Sequence, residues 1–582
     1  MNNEDGRLYI LLISIHGLIR GQDLELGRDA DTGGQTKYVV EMLRALGERP
    51  EVDSADLLTR RIVDSNISED YAEPVEQLSE KTRIVRLDCG EQGYLPKEAL
   101  WDSLDNFADS ALDFINSQQR LPDIIHSHYA DAGYVGTRLS HQLNIPLVHT
   151  GHSLGRSKRK RLLASGVKRD LIEQRYNISR RIDAEEETLG VAERVITSTN
   201  QEIIEQYGMY DYYQPEKMRV VPPGTDLEKF YPPDGKELDS AICQDINRFL
   251  REPDKPIILA LSRPDQRKNI NTLVEAYGES EELKQIANLV IIAGNRDDIR
   301  DMDSGAQEVL GEIFLSIDSY DLYGEVAYPK HHHPDDVPVI YRIAAALKGV
   351  FVNPALTEPF GLTLIEAAAS GLPIVATEDG GPTDIINNCH NGYLIDPLDK
   401  KAMAATLLKV LDDPSNWKSL AHNGIKGVRE HYSWQAHAEK YIKTIQPVVD
   451  KSEPLTRMDI RRRPMLYHDR ALFTDLDQNL LGNPDSLKEF VRVIQENRRC
   501  TTFGIATGRR LDSALSVLRK YHIPLPDVLI TSLGTEIYYM PNLTRDTAWS
   551  NHIDHMWRRR AVMGVLNELP GLKLQSKPEQ SK

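Results

Sequence analysis

The chain has 582 residues and carries 70 Lys and Arg against 88 Asp and Glu, a net charge of −18. That length calls for several domains, 40% hydrophobic and 27% charged residues are ordinary for a globular protein, and the acidic balance argues against a general binder of nucleic acid or anionic membrane. Cys89, Cys243, Cys389 and Cys500 are scattered, with no CxxC pair, which argues against a disulfide framework and for a reducing cytoplasm. No run approaches the ~18–20 apolar residues of a membrane span, and the opening MNNEDGR is not that of a signal peptide.

Short apolar runs alternate with longer amphipathic stretches. Leu8–Ser14 reads as a buried strand and Lys37–Glu48 as a helix with an apolar stripe. A helix follows over Leu100–Gln118, with strands over Pro122–His128, Ile145–His152 and Glu193–Thr199. Such alternation predicts parallel sheets with helices on both faces. Val221–Asp239, rich in Pro, Gly and charge, reads as a domain connection. The rhythm then restarts, with strands over Pro256–Arg263, Asn288–Gly294, Gly349–Ala355, Pro373–Thr377 and Gly392–Pro397, and a helical stretch over Trp417–Val449. A third unit has a strand over Ala471–Gly482, a helix, and a strand over Thr501–Arg510. The expected class is α/β: two doubly wound Rossmann-like domains, 1–235 and 236–450, facing a cleft, and a partial α/β domain over 451–582. Strand C-termini and helix N-termini gather at such a cleft and favour ligand binding there.

Thr357–Gly381, TEPFGLTLIEAAASGLPIVATEDGG, concentrates the candidate chemistry. Gly361 is placed to begin a helix, and Gly371 with Pro373 to end it. The first free amides of a helix carry partial positive charge and bind phosphate where no bulky side chain intervenes. Phe360, Gly361 and Leu362 suit that task. A diphosphate there leaves a sugar on one side and a ribose on the other. Glu358 is placed for the sugar and Glu366 for the ribose, because one carboxylate accepts from two adjacent hydroxyls. The plainer alternative is an ordinary helix with a surface glutamate. Gly33 and Gly34, before the first helix, form either a second approach for an anion or a simple turn. Arg263 and Lys268 follow the first strand of the second domain, where cations neutralise a diphosphate leaving group or join surface ion pairs.

In this order the motifs resemble the retaining glycosyltransferases of family 4, of GT-B fold, over Arg7–Val449, with Glu358 and Glu366 as the E-x7-E pair. More narrowly, ISIHGLIRGQDLELGRDADTGGQTKYVVEMLRAL, HSHYADAGYVG, GHSLGRSKRKRLL and YNISRRIDAEEE resemble the sucrose-phosphate synthase family. The related sucrose synthases carry a long N-terminal extension, whereas here the matching core begins close to Met1. The resemblance implies retaining glucosyl transfer from UDP-glucose to fructose 6-phosphate, giving sucrose 6-phosphate and UDP, with no metal or other cofactor required. It implies Arg263 and Lys268 on the diphosphate, Glu358 on the glucosyl hydroxyls and Glu366 on the ribose. The backbone of Phe360, Gly361 and Leu362 lies beside the phosphates, Gly33, Gly34 and Gln35 line the cleft, and His152 stands near the reacting sugar.

The acceptor's phosphate needs fixed positive charge. Lys158, within RSKRKR (Arg156–Arg161), and Arg180 and Arg181 are the candidates; most of the other RSKRKR charges read as a solvated helix face. The alternatives are a transferase acting on free fructose and a sugar-phosphate-binding protein or phosphatase. The donor base stays open between UDP, ADP and GDP.

FTDLDQNLLG and ATGR resemble the first two motifs of haloacid-dehalogenase-type phosphatases, and the region as a whole resembles the sucrose-phosphate phosphatases. The resemblance implies Asp475 as nucleophile, Asp477 as general acid, Thr507 as phosphate ligand and a Mg²⁺ ion. Asn479 stands where that pattern has Thr, and its later lysine and last acidic motif find no counterpart before Lys582. Negligible phosphatase activity is the expectation. A phosphatase-like module beside a transferase also fits a phosphorylated product. The expected partners are UDP-glucose, fructose 6-phosphate and a separate sucrose-phosphate phosphatase, with no nucleic acid and no membrane.

Overall fold

The computed structural model describes residues 6–26, 28–451, 470–497, 501–540, 543–554, 557 and 559–567; Cys500 and the stretch 452–469 leading into the third α/β region lie outside these. The chain forms two compact units. One comprises residues 1–196, 206–219 and 442–582, the other residues 197–205 and 220–441.

The first unit holds an eight-stranded sheet of β1 (Leu8–Ile13), β2 (Val52–Arg60), β3 (Val75–Gln77), β4 (Thr82–Leu87), β5 (Ile124–His128), β6 (Leu147–Thr150), β7 (Arg194–Thr197) and β8 (Met218–Val220), ordered β3-β4-β2-β1-β5-β6-β7-β8. β1 lies at its centre, parallel to β2 and β5. All six of its residues are buried, as continuous apolar strands are when helices cover both faces. The helices used below are α1 (Gly34–Gly47), α2 (Leu104–Ser117), α3 (Tyr129–Leu143), α4 (Gly155–Ala164), α5 (Arg169–Tyr176) and α6 (Ile178–Val191).

The second unit is a six-stranded parallel sheet of β9 (Ile257–Leu261), β10 (Asn288–Ile292), β11 (Val326–Ala327), β12 (Val350–Asn353), β13 (Ile374–Thr377) and β14 (Gly392–Ile395), ordered β11-β10-β9-β12-β13-β14. The period-2 alternation of a strand divides its side chains between two cores. Phe351 enters one apolar cluster, while Val350 and Val352 enter the other. Each such fully buried side chain contributes ~1.5–3 kcal/mol.

A five-stranded sheet of β15 (Arg470–Asp475), β16 (Thr501–Ala506), β17 (Val528–Thr531), β18 (Glu536–Tyr539) and β19 (Thr544–Arg545) completes the first unit, in sequential order.

Four predicted elements differ in extent. The first helix begins at Gly34, with Gly33 as its N-cap, because a helix start tolerates glycine. Leu100–Gln118 divides into a 3₁₀ turn, Lys97–Ser103, and α2. The stretch from Trp417 divides into helices Pro414–His431 and Trp434–Val449. Ser433 breaks it: its side chain accepts from Ala436 N at 3.0 Å, while the Tyr432 carbonyl accepts from Thr225 N at 2.7 Å. The strand predicted to run to Gly482 stops at Asp475, and the chain bends over Leu476–Leu480, with Asp477 extended and Gln478 at φ +61°.

Candidate active site

In the second unit, the loop after β9 is tied to the loop after β12. Asn269, in a left-handed conformation, donates from Nδ2 to the carbonyls of Pro354 (3.0 Å) and Pro397 (2.8 Å). Leu356 N donates to the Arg267 carbonyl at 2.8 Å. This arrangement brings Lys268 Nζ to 2.7 Å from Glu358 Oε2. Asn353 Nδ2 donates to the same oxygen at 3.0 Å, so the buried Glu358 carboxylate is fixed by two donors. Arg263 is exposed, and its guanidinium has no hydrogen bond or ion pair among the described residues.

Two glycines set where Glu358 lies. Gly380 has φ +114°, and a Cβ there would sit 2.0 Å from the Glu358 carbonyl oxygen. A Cβ on Gly381 would sit 2.3 Å from the Phe360 carbonyl oxygen. The backbone of EPF thus packs directly on DGG, with Gly381 N donating to the Glu358 carbonyl at 2.9 Å.

Gly361, at φ +101°, is the N-cap of helix Leu362–Ala369, and no side chain caps that end. Leu362 is exposed, so the free amides are approachable. Phe360 is half-buried against the adjoining core. Glu366 is half-buried one turn into the helix, 3.4 Å from the Tyr341 hydroxyl.

In the first unit, Gly33 and Gly34 open onto space, since a Cβ on either meets nothing within 4 Å. Gln35 Nε2 donates to Ser14 Oγ (3.1 Å) and the His128 carbonyl (3.4 Å). His152, at φ +54°, lies 3.0 Å from His128 Nδ1 through its Nε2. The Tyr38 ring meets His152 edge-on at 4.9 Å. Burial first, then neighbouring His149 and His16, pushes the His152 pKa down to about 3, so the imidazole is neutral at ordinary pH. His16 lies 2.7 Å from Asp131. Tyr38, His128, His16, Asp131 and Ser14 are not among the residues expected from the motifs, although the stretches ISIHG and HSHYAD contain most of them.

The three cations expected from the sequence to meet an acceptor phosphate, Lys158, Arg180 and Arg181, lie in different surroundings. Lys158 on α4 stands 3.6 Å over the Tyr176 ring and 3.8 Å from Glu98. Burial, opposed by Glu98 and aided by Arg181 and Lys97, pushes its pKa down to about 8. Arg180 is half-exposed and pairs with Asp102 at 2.6 Å. Arg181 is buried. Its Nε donates to Glu185 at 2.9 Å and its Nη2 to the Ser153 carbonyl at 2.6 Å, with the guanidinium 4.4 Å over the Tyr129 ring. Glu185 also accepts from Gly155 N and the Tyr210 hydroxyl. Arg181 therefore organises α4 against α6.

In the phosphatase-like region, Asp475 Oδ1 accepts from Leu476 N at 2.7 Å. Arg509 grips Asp477 with two hydrogen bonds, 2.8 and 2.6 Å, and holds its pKa below the usual carboxylate value. A general acid needs the opposite shift. Thr507 is buried, and its Oγ1 accepts from Arg509 N at 3.2 Å. Among the described residues no group of three His, Cys, Asp or Glu could hold a metal ion. Asp475 and Asp477 each already meet a protein donor, Leu476 N and the Arg509 guanidinium.

Three sequence families match in series: the first GT-B domain of sucrose synthase over residues 7–231, glycosyl transferases group 1 over 244–427, and sucrose-6F-phosphate phosphohydrolase over 468–582. Sucrose-phosphate synthase 4 of Arabidopsis thaliana is 45% identical over 97% of this chain and 66% of its own length. Probable sucrose-phosphate synthase 2 of Craterostigma plantagineum is 45% identical over 98% and 68%. The structure of a sucrose-phosphate synthase from Thermosynechococcus elongatus aligns with a TM-score of 0.56 at 28% identity, covering 77% of this chain and all of that one. The catalytic domain of starch synthase IV from A. thaliana, bound to ADP and acarbose, aligns at 0.51 with 15% identity over 76% and 100%, a likeness of fold.

Fold and matches together define a GT-B glycosyltransferase with an added haloacid-dehalogenase-like module. Within that class, the chain belongs to the sucrose-phosphate synthase family. It spans 46% to 68% of the length of the plant relatives named sucrose-phosphate synthase.

Proposed function

We propose that the chain transfers glucose from UDP-glucose to fructose 6-phosphate, releasing UDP and forming sucrose 6-phosphate. The bond from glucosyl C1 to the UDP β-phosphate oxygen breaks. A bond from C1 to the anomeric hydroxyl oxygen of fructose 6-phosphate forms on the same face, and the hydroxyl proton leaves with the phosphate. The Lys268–Glu358 pair at 2.7 Å beside the uncapped helix at Gly361 carries this reading. It puts a cation, free amides and a fixed carboxylate within one loop system, which suits a diphosphate with a sugar attached. In this reading Arg263, Lys268 and the amides after Gly361 meet the charge on departing UDP, so transfer needs no metal. Glu358 holds the sugar hydroxyls and Glu366 the ribose. The neutral His152 ring lies beside the reacting sugar as a hydrogen-bond partner.

On the acceptor side, Lys158 and Arg180 take the phosphate, with Gln35 near the sugar and Arg181 holding the two helices together. A separate sucrose-phosphate phosphatase is the natural consumer of the product. Cytoplasmic placement fits the free, buried Cys89, Cys243 and Cys389. Among the described residues no helix is long and apolar enough to cross a membrane.

The test is UDP release from UDP-glucose with fructose 6-phosphate and fructose as parallel acceptors and no added metal. Release with fructose 6-phosphate alone is expected. Equal release with fructose discards the phosphate site, and no release with either discards the activity.

A further inference from the structure

The glycosyltransferase-like core and the phosphatase-like module meet inside the first unit, on α3 and α6. The Tyr539 ring, at the end of β18, stacks on the His141 ring of α3 with centroids 5.6 Å apart and planes inclined by 18°. His141 and Asp546 are both more than nine-tenths buried. Tyr539 Oη donates to Asp546 Oδ2 at 2.8 Å, and Asp546 Oδ1 accepts from Trp549 N at 2.8 Å, capping helix Thr547–Asp554. Beside this seam, Arg138 of α3 lies 3.8 Å from Glu187 of α6. Farther along, the rings of Tyr212 and His552 are 6.3 Å apart.

Helix α6 runs from this seam to the acceptor-side cations. Its C-terminal half carries Glu187, and its first turns carry Arg180 and Arg181. Glu185, between them, receives Gly155 N, the start of the helix that bears Lys158. At 14 residues α6 is about 21 Å long, and as one continuous hydrogen-bonded element it joins the seam to these cations.

We infer that the phosphatase-like module acts as a strut for the acceptor side, and that Tyr539 is a positioning residue for binding of the acceptor phosphate. The inference rests on the proposed roles of Lys158 and Arg180. It gives the module a function that needs no hydrolytic chemistry from Asp475 and Asp477.

Steady-state kinetics on the full chain test it, with Tyr539→Ala, His141→Ala, the double variant and Tyr539→Phe. The two single alanine variants should raise KM for fructose 6-phosphate about fivefold, the scale of one aromatic stack. The double variant should add no more, because both remove one contact. KM for UDP-glucose and kcat should stay within about twofold, and Tyr539→Phe, which keeps the ring, should retain the wild-type KM. An unchanged KM for fructose 6-phosphate in Tyr539→Ala and in the double variant overturns the inference. So does a loss spread equally over both substrates and kcat. If the wild-type chain shows no transfer, the functional reading fails separately. Amide hydrogen exchange along α6 then decides on the strut: faster exchange in the alanine variants supports it and unchanged exchange overturns it.

Discussion

Lys268 Nζ stands 2.7 Å from Glu358 Oε2, joining the loop that follows β9 to the loop that follows β12. The two residues are 90 positions apart in sequence, and their meeting follows from the adjacency of those two strands in the sheet. Removing the Glu358 charge while keeping its shape should leave Lys268 without its counter-charge and, in the proposed role, give the sugar hydroxyls a weaker, neutral acceptor with one oxygen in place of two. Glu358→Gln is expected to lower kcat/KM by about 10²-fold or more, the scale for a preorganised polar group at a reacting centre, with little change in thermal stability. Retention of wild-type turnover would remove Glu358 from the site.

Gly380 tests the same site through the backbone. A Cβ there would overlap the Glu358 carbonyl, 2.0 Å away, and φ +114° is a conformation that favours glycine. Gly380→Ala should displace Glu358 and cut kcat/KM while the distant cores stay intact. Kinetics with a parallel melting curve checks this; unaltered kinetics would show that the loop tolerates the shift.

Arg180 and Arg181 should separate cleanly. Arg181→Ala leaves Glu185 buried with its cation gone, which costs about 3–5 kcal/mol, so melting temperature should fall. Arg180 forms a half-exposed pair whose loss costs about 1 kcal/mol or less. Its replacement by Ala should instead raise KM for fructose 6-phosphate at unchanged melting temperature. The reverse pattern would contradict the division of roles.

In its proposed role at the acceptor phosphate, Lys158 sets a pH limit on binding. Burial first, then Arg181 and Lys97, lowers its pKa to about 8 against the pull of Glu98. The ammonium is present below that value and lost above it. kcat/KM for fructose 6-phosphate should therefore fall as pH rises through about 8. Lys158→Arg should move the fall to higher pH, because a guanidinium keeps its charge. A limb that stays in place in Lys158→Arg belongs to another group.

Much of this was legible in the sequence because buried parallel strands read as continuous apolar runs, as β9 (IILAL) and β12 (VFVN) do. β2 (VDSADLLTR) escaped, since its first half mixes Asp and Ser with apolar residues. β17 to β19 escaped because they are short and half-exposed. Arg263, Lys268 and Glu358 could each be assigned to a strand end, but which ends adjoin depends on strand order. Arg181 looked equivalent to Arg180. Its helical phase distinguishes it: Ile178, Arg181, Ile182 and Glu185 share the buried face of α6, the i, i+3, i+4 spacing of an inward stripe. The His128–His152 contact depends on two strand ends and a left-handed residue, which no local pattern encodes.

The most direct test of the central claim is to follow UDP-glucose and fructose 6-phosphate with the purified chain by ¹³C and ³¹P NMR. The expected product has an α-linked glucosyl C1 joined to fructosyl C2, with the phosphate still on C6. An inverted linkage, a product formed only from free fructose, or no product would contradict the account.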